Sequence, residues 1–518
     1  MAALGLSGVL AAIPMLATLG VVFSRSRQDA TPIHGKSAYA TKAEGKLSGI
    51  IYTKVPRNDS ILLGMTKGVF GFGRRYLCLP GTGHAALYAR TGAGKGVSFV
   101  VPACLAWEGS LIAFDIKGEL YRLTAGQRAR MGQDVFLFAP TAPDGKSHRY
   151  NPFSVVPRGE VGCIDSVQRI MHLLIPPAIK SDAAFWTNSA RALAVAGAVI
   201  LADTPGAPLN LASLLRMFTR SDCDVFIRGL VTRARNSQRP LPQVAVDVAM
   251  SWVNSGDPKT RQGIVEEMKS HLSLYASPQI VAATETSDFD LRDIRKQGMS
   301  IYIGATPDEL RRLRPLMAVL FQQMISLNTQ VEYDQDPAHT HRVLMMLDEF
   351  WAPGRMDMLA DAAAFVRSYG IRMAYVVQTK AQIVSIYGPE GSENLFENTA
   401  AEVVFGVKGS RTAREVSELA GNDTVTDTSH SRPRFWAGMS PGKQSESERN
   451  SKRALLLPQE VQRLPADEQL VFMPHTQPLR TPRIVWYKDA WFNARKRTAP
   501  DVPTLHVHVA KDDGKAVV

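Results

Sequence analysis

Ala85-Ala86-Leu87-Tyr88-Ala89-Arg90-Thr91-Gly92-Ala93-Gly94-Lys95-Gly96 is the stretch whose reading decides the fold. Its apolar start reads as a buried strand, and residues 97–107 as an apolar helix. The Gly-rich turn between them can aim several backbone N–H groups at phosphate oxygens at a helix start. On this reading Arg90, Thr91, Gly92, Ala93, Gly94, Lys95, Gly96 and Val97 hold the phosphates of a nucleotide, and Lys95 reaches the β- and γ-phosphates. Two positions depart from the phosphate-loop pattern: Ala89 replaces its first Gly, and Gly96 replaces the Ser or Thr whose hydroxyl ligates magnesium. A plain strand–turn–helix connection is the competing reading of the segment taken alone.

A second motif lies far downstream. Val343-Leu344-Met345-Met346-Leu347-Asp348-Glu349 is an apolar strand ending in two carboxylates. One acid can hold Mg²⁺ and the other polarise an attacking water, so Asp348 is assigned to the metal and Glu349 to the water. Solvated acids capping a buried strand are the bland alternative. The two motifs support one another, and with Gly96 offering no oxygen, Mg²⁺ depends on phosphate oxygens, waters and Asp348.

Outward from these motifs, strand-like runs at 111–114, 300–304, 342–347, 372–377 and 401–405 alternate with helical stretches, which predicts an α/β core with parallel strands. Strand signals are scarce between about 151 and 288, where an all-helical insertion is expected. The expected order is a membrane anchor at 1–23, a juxtamembrane linker at 24–75 and the first part of the nucleotide-binding domain at 76–150. An all-α domain at 151–288, the second part of the core at 289–497 and a polar tail at 498–518 follow. Residues 426–452, rich in Ser, Arg, Glu and Gly, read as an exposed loop, with Ser429-His430 solvated in it.

The chain has 518 residues, enough for two or three domains, and 45% hydrophobic with 21% charged residues excludes disordered and collagen-like classes. Sixty Lys and Arg against 48 Asp and Glu give a formal charge of +12, which favours an anionic partner. Four scattered cysteines indicate neither a disulfide framework nor a zinc site, and a reducing compartment follows. Residues 1–23 carry no ionisable side chain and are long enough to span a bilayer. Arg25, Arg27, Lys36, Lys42 and Lys46 follow and place the rest in the cytoplasm. A cleaved signal peptide competes, but no basic segment precedes the apolar run. The apolar run 192–202 reads as a buried core helix, too short to span.

From about residue 34 to 492 the sequence resembles the TraG/TraD-type coupling proteins of type IV secretion systems. The resemblance rests on His34-Gly35-Lys36-Ser37-Ala38, the Gly94-Lys95-Gly96 ending, Phe114-Asp115-Ile116-Lys117-Gly118-Glu119 and Leu123-Thr124-Ala125-Gly126. It extends through Tyr150-Asn151-Pro152, Leu347-Asp348-Glu349-Phe350, Tyr369-Gly370-Ile371-Arg372, Val377-Gln378 and Leu455-Leu456-Leu457-Pro458. It implies a RecA-like P-loop ATPase core with an inserted all-α domain, a homo-hexamer at the bacterial inner membrane, ATP and Mg²⁺ as cofactors, and channel components as partners. It also implies two membrane helices, of which this sequence offers one. Arg367 matches the position of an arginine finger reaching the neighbouring subunit's ATP, and Gln378 that of a residue contacting the γ-phosphate. A solvated helix face for Arg367 and a helix cap for Gln378 are the alternatives.

The resulting function is that of a membrane-anchored ATPase that recruits DNA, as a relaxase–DNA complex, and drives or licenses its transfer. The alternative is a receptor for protein effectors in which docking dominates; a soluble translocase of the FtsK/HerA kind fits the anchor poorly. Arg311-Arg312-Leu313-Arg314 offers either a contact for nucleic-acid phosphates or a solvated helix face.

Overall fold

The computed structural model describes residues 36–68, 73–178, 181–236, 241–352, 354–431 and 445–507. The anchor expected at 1–23 lies outside them. The described residues form two compact units, one of residues 42–407 with 464–507, the other of residues 36–41 with 408–463.

The larger unit opens with α1 (Lys42–Leu47) and a small antiparallel sheet of β1 (Ile51–Thr53), β2 (Ile61–Met65) and β3 (Tyr76–Leu79), in the order β1-β3-β2. The stretch 24–75, expected as a linker and the start of a folded domain, thus carries folded elements among its described residues from Lys42, and β2 is buried at every position. Then come β4 (His84–Tyr88), a π-helical turn (Gly96–Val100) running into α2 (Val101–Ala106), β5 (Ser110–Phe114), α3 (Glu119–Arg130) and β6 (Asp134–Phe138).

Among the described residues seven α-helices follow without a strand: α4 (Cys163–Leu174), α5 (Ser181–Asp203), α6 (Leu211–Thr219), α7 (Cys223–Arg235), α8 (Gln243–Val253), α9 (Pro258–Leu272) and α10 (Pro278–Thr284). Their two chain ends are pinned together. Asp288 accepts hydrogen bonds from the Arg149 backbone N–H and guanidinium, both at 2.7 Å. The Tyr150 ring stacks on Phe289 with centroids 5.2 Å apart, and the Asn151 amide donates to Leu209 and Glu285 carbonyls. The Tyr-Asn-Pro segment is thus a clasp at the point where the chain leaves the sheet. α5 is 23 residues long, longer than the 192–202 run suggested. Length alone would let it cross a membrane, yet it packs on α4, α8 and α9 and more than half of its most apolar window is buried, as in a core helix.

The chain returns through β7 (Met299–Ile303), α11 (Leu310–Asn328), β8 (Val343–Leu347), α12 (Asp357–Ala362), β9 (Ile371–Val377), α13 (Lys380–Glu397) and β10 (Thr399–Val404). In the smaller unit lie α14 (Ser410–Ala420), β11 (Asn422–Ser431), β12 (Ser445–Ala454) and α15 (Pro458–Gln462). The larger unit then closes with β13 (Glu468–Phe472), β14 (Leu479–Pro482) and α16 (Ala490–Asn493).

Among the described residues the central sheet has nine strands in the order β14-β13-β10-β4-β9-β8-β5-β7-β6. The seven from β10 to β6 are parallel, and β13 and β14 add an antiparallel edge. β4, β5, β7, β8 and β9 are buried at every position, as their unbroken apolar runs require of strands covered on both faces. Three expectations need correcting. Residues 408–463, assigned to the second part of the core, cluster as a unit of their own. Within it, the 426–452 stretch read as a loop contributes to a two-stranded ribbon, with register from Asn422↔Ala454 to Ser431↔Ser445. The polar tail also begins later than expected: the Tyr121 hydroxyl donates to the Pro500 carbonyl and Lys146 bridges to Thr504.

Candidate functional site

Four adjacent parallel strands, in the order β4-β9-β8-β5, end on one edge of the sheet. That edge is where open α/β sheets place ligands. The residues following these strands are the loop 89–95 after β4, Gln378 after β9, Asp348 and Glu349 after β8, and Asp115 after β5. A cavity of about 200 Å³ opens there, lined by Gly92, Gly94, Lys95, Gly96 and Val97 on one side and Asp115, Asp348 and Glu349 on the other.

The loop turns tightly. The Ala93 N–H donates to the Arg90 carbonyl at 3.0 Å, and Gly92 and Gly94 adopt φ of 76° and 82°, a region costly for any residue with a Cβ. The Ser98 N–H then donates to the Gly94 carbonyl at 2.9 Å and starts the helix. Lys95 extends to the opposite wall, where Nζ lies 3.0 Å from both Asp348 Oδ1 and Glu349 Oε1. The contact with Glu349 is a hydrogen bond. That with Asp348 is an ion-pair approach without hydrogen-bond alignment, which leaves the buried Oδ1 without a hydrogen-bond partner.

Glu349 has φ of 53°, one of only two non-glycine residues with positive φ among the described residues. Such a backbone costs about 1–3 kcal/mol and persists only where its surroundings hold it. Here the Phe350 N–H donates to Val376 O and the Ala352 N–H to Glu349 O, while the Phe350 ring stacks on Tyr387 at 5.8 Å. Burial raises the Asp348 carboxyl above its ordinary range, opposed by the Lys95 charge. Asp115, 3% exposed, is pushed up to about 6 by burial, with the Asp348 charge adding to the effect. Its oxygens are committed to the Glu119 and Tyr121 N–H groups at the start of α3.

An acidic, partly dehydrated wall, whose Asp348 Oδ1 is met by the Lys95 charge and not by an aligned hydrogen bond, suits a divalent cation. No cluster of three or more metal-ligating side chains occurs among the described residues, so the fit is to a cation that keeps waters and takes a single protein carboxylate, Asp348, as Mg²⁺ does beside phosphates.

Of the residues assigned from sequence, Gly92, Gly94, Lys95, Gly96, Val97, Asp348 and Glu349 come together in this cavity. Arg90, Thr91 and Ala93 belong to the same turn but do not line it. Gln378 follows β9 at the same edge, also outside the lining. The helix cap is its neighbour Thr379, whose hydroxyl accepts from Gln382 N–H. Arg367 lies elsewhere: its guanidinium donates to Asn398 Oδ1 at 3.4 Å. Asn398 precedes β10, whose first residue Thr399 pairs with His84 at the start of β4. Arg367 is therefore at the opposite edge of the sheet, about 13 Å away along β4 alone.

Sequence reasoning passed over Asp115, although its signal matches that of Asp348, an apolar strand ending in a carboxylate. It also missed Arg483, which reaches the loop from beyond β14 and which no local pattern marks. A larger groove of about 1020 Å³ opens between the helical segment, α11 and the chain leading into α12, and it is lined by Arg311, Arg312, Arg314 and Arg355. It lacks the lysine–carboxylate arrangement of the smaller cavity.

Residues 36–508 match the family described as type IV secretory system conjugative DNA transfer. The chain belongs to that family. Among relatives in this conjugative DNA transfer family, protein VirD4 of Agrobacterium fabrum is 28% identical over 463 residues, covering 88% of this chain and 66% of that protein. The conjugal transfer protein TraG of Escherichia coli is 27% identical over 538 residues, covering 96% of this chain and 83% of that protein. The chain thus spans just under two thirds of the VirD4 length. In fold it is similar to the bacterial conjugative coupling protein TrwB, with a TM-score of 0.61 and 18% identity over 92% of this chain and 96% of that one. The plasmid coupling protein TrwB in complex with ADP and Mg²⁺ gives a TM-score of 0.59 with 17% identity, over 88% and 94% of the two chains.

Proposed function

We propose that this chain is an ATP-hydrolysing coupling protein that recruits DNA, as a relaxase–DNA complex, and drives or licenses its passage through a type IV secretion channel. The reading is carried by the Lys95–Asp348–Glu349 cluster facing a glycine turn at the ligand-binding edge of the sheet. Family membership and the nucleotide found in TrwB support it. Residues 1–23 anchor the protein in the bacterial inner membrane with its ATPase core in the cytoplasm. Helices α4 to α10 act as an all-α substrate domain, and the working form is a homo-hexamer.

In this mechanism the amides of residues 92–97 and the Lys95 ammonium bind the phosphates. Phosphates drawing Lys95 away free the Glu349 carboxylate to accept a hydrogen bond from water and orient it for in-line attack. Asp348 would hold Mg²⁺, which when bound neutralises charge on phosphate oxygens. Arg367 stabilises charge on the ATP of the adjacent subunit, a role consistent with its place at the edge remote from its own loop, and Gln378 contacts the γ-phosphate.

A second reading, a receptor for protein effectors, is favoured by the arginine-lined groove. Its floor includes Leu174, Leu274, Phe321 and Leu359, which suits a protein segment better than bases that need exposed aromatic platforms. Phosphate release by the full chain, with and without single-stranded or duplex DNA, separates the two. Stimulation by DNA supports the first; indifference to DNA, with stimulation by a cognate effector protein, supports the second.

A further inference from the structure

Arg483 follows β14 and is 7% exposed. Its Nε donates to the Glu468 carbonyl at 2.8 Å and its Nη1 to the Ala93 carbonyl at 2.7 Å. The guanidinium carbon lies 3.7 Å from the Phe405 ring centroid, and the Arg483 N–H donates to Asp467 O at 2.7 Å. Burial lowers its ordinary value to about 10, so the group remains a cation at neutral pH. A charged, planar donor anchored on three sides is thus spent on one carbonyl of the phosphate loop.

The choice of carbonyl matters. Ala93 C=O and Gly94 N–H belong to one trans, planar peptide, so they point in opposite directions. Gly94 accepts either sign of φ, and rotation of the Ala93–Gly94 plane about its flanking bonds therefore meets little steric resistance from the turn itself. Arg483 does not line the cavity, whereas Gly94 does. Pulling Ala93 O outward sends the Gly94 N–H inward.

We infer that Arg483 is a positioning residue of the phosphate site, clamping the Ala93 carbonyl so that the Gly94 amide faces the bound phosphates. The inference rests on the nucleotide-binding reading given above. Its residue lies 390 positions from Ala93 in sequence, so the edge formed by β13 and β14 gains a role in holding the loop as well as in closing the sheet.

The test uses the full chain, with ATP as titrant and with melting temperatures recorded for each variant. Arg483→Ala should raise KM for ATP tenfold or more with kcat within threefold. Arg483→Lys keeps a cation able to donate to one carbonyl and should give an intermediate KM; it carries the test alone should Arg483→Ala fail to fold. A folded Arg483→Ala with unchanged KM overturns the clamp. So does a variant whose KM stays fixed while kcat falls with the folded fraction, since that marks a merely structural role. If the native chain binds no ATP, or Lys95→Ala binds as tightly as the native chain, it is the nucleotide-site reading that fails.

Discussion

Lys95 and Glu349 are joined by a 3.0 Å hydrogen bond across the cavity. Lys95, the loop cation that lines the cavity, is therefore held by the acid wall, and a nucleotide must draw it away. Lys95→Ala removes the charge that rewards this exchange. A charge-assisted hydrogen bond is worth about 1.5–3 kcal/mol, so ATP affinity should fall by about 10- to 100-fold. Titration with a fluorescent ATP analogue measures it, and unchanged affinity would remove Lys95 from the site.

Asp348 presents a buried oxygen whose neighbour is the Lys95 ammonium at 3.0 Å. Asp348→Asn keeps the shape but loses the charge, so half-maximal hydrolysis should need more Mg²⁺ than in the native chain. A Mg²⁺ titration of phosphate release that superimposes on that of the native chain would release Asp348 from the metal role.

Arg367 stands beside Asn398, at the sheet edge away from its own loop. An arginine finger is worth about 10³ to 10⁵ in rate. Arg367→Ala should fold and bind ATP but hydrolyse it very slowly. Mixing it with Glu349→Gln subunits creates interfaces with an intact Arg367 beside an intact Glu349, and partial turnover should return. Mixed oligomers that recover nothing would contradict action between subunits.

His84, fully buried, is satisfied only when neutral: Nε2–H donates to Ala363 O at 3.0 Å and Nδ1 accepts from the Met373 N–H at 3.1 Å. Burial, with Arg367 and Arg372 nearby, lowers it from 6.5 to about 4. The folded value lies below the unfolded one, so this stability is present above pH 6.5 and is lost as pH falls through 4. Over that window it amounts to about 3 kcal/mol. Guanidinium unfolding midpoints should fall between pH 7 and pH 4.5, and His84→Gln should flatten that slope. An equal slope in both proteins would exclude His84 as the source.

Much of the core was legible because its strands are covered on both faces. Residues 111–114 and 343–347 read as unbroken apolar runs and became β5 and β8. Lys95, Asp348 and Glu349 were legible because each stands at a strand end or glycine turn with an obvious chemistry. Arg483 was not, since its partner Ala93 is joined to it only by the fold. The ribbon of β11 and β12 was hidden by polar side chains such as Asn422, Asp423 and Thr424, which lack the apolar alternation of a half-buried strand. β13 and β14 gave too short a signal to be separated from loop.

Phosphate release by Glu349→Gln, set beside its ATP affinity, tests the central claim most directly. Gln keeps the size of the strained residue and removes the water-polarising charge. The account predicts ATP binding within a few fold of the native chain and hydrolysis slower by about 10² to 10⁴. Hydrolysis at the native rate would contradict it.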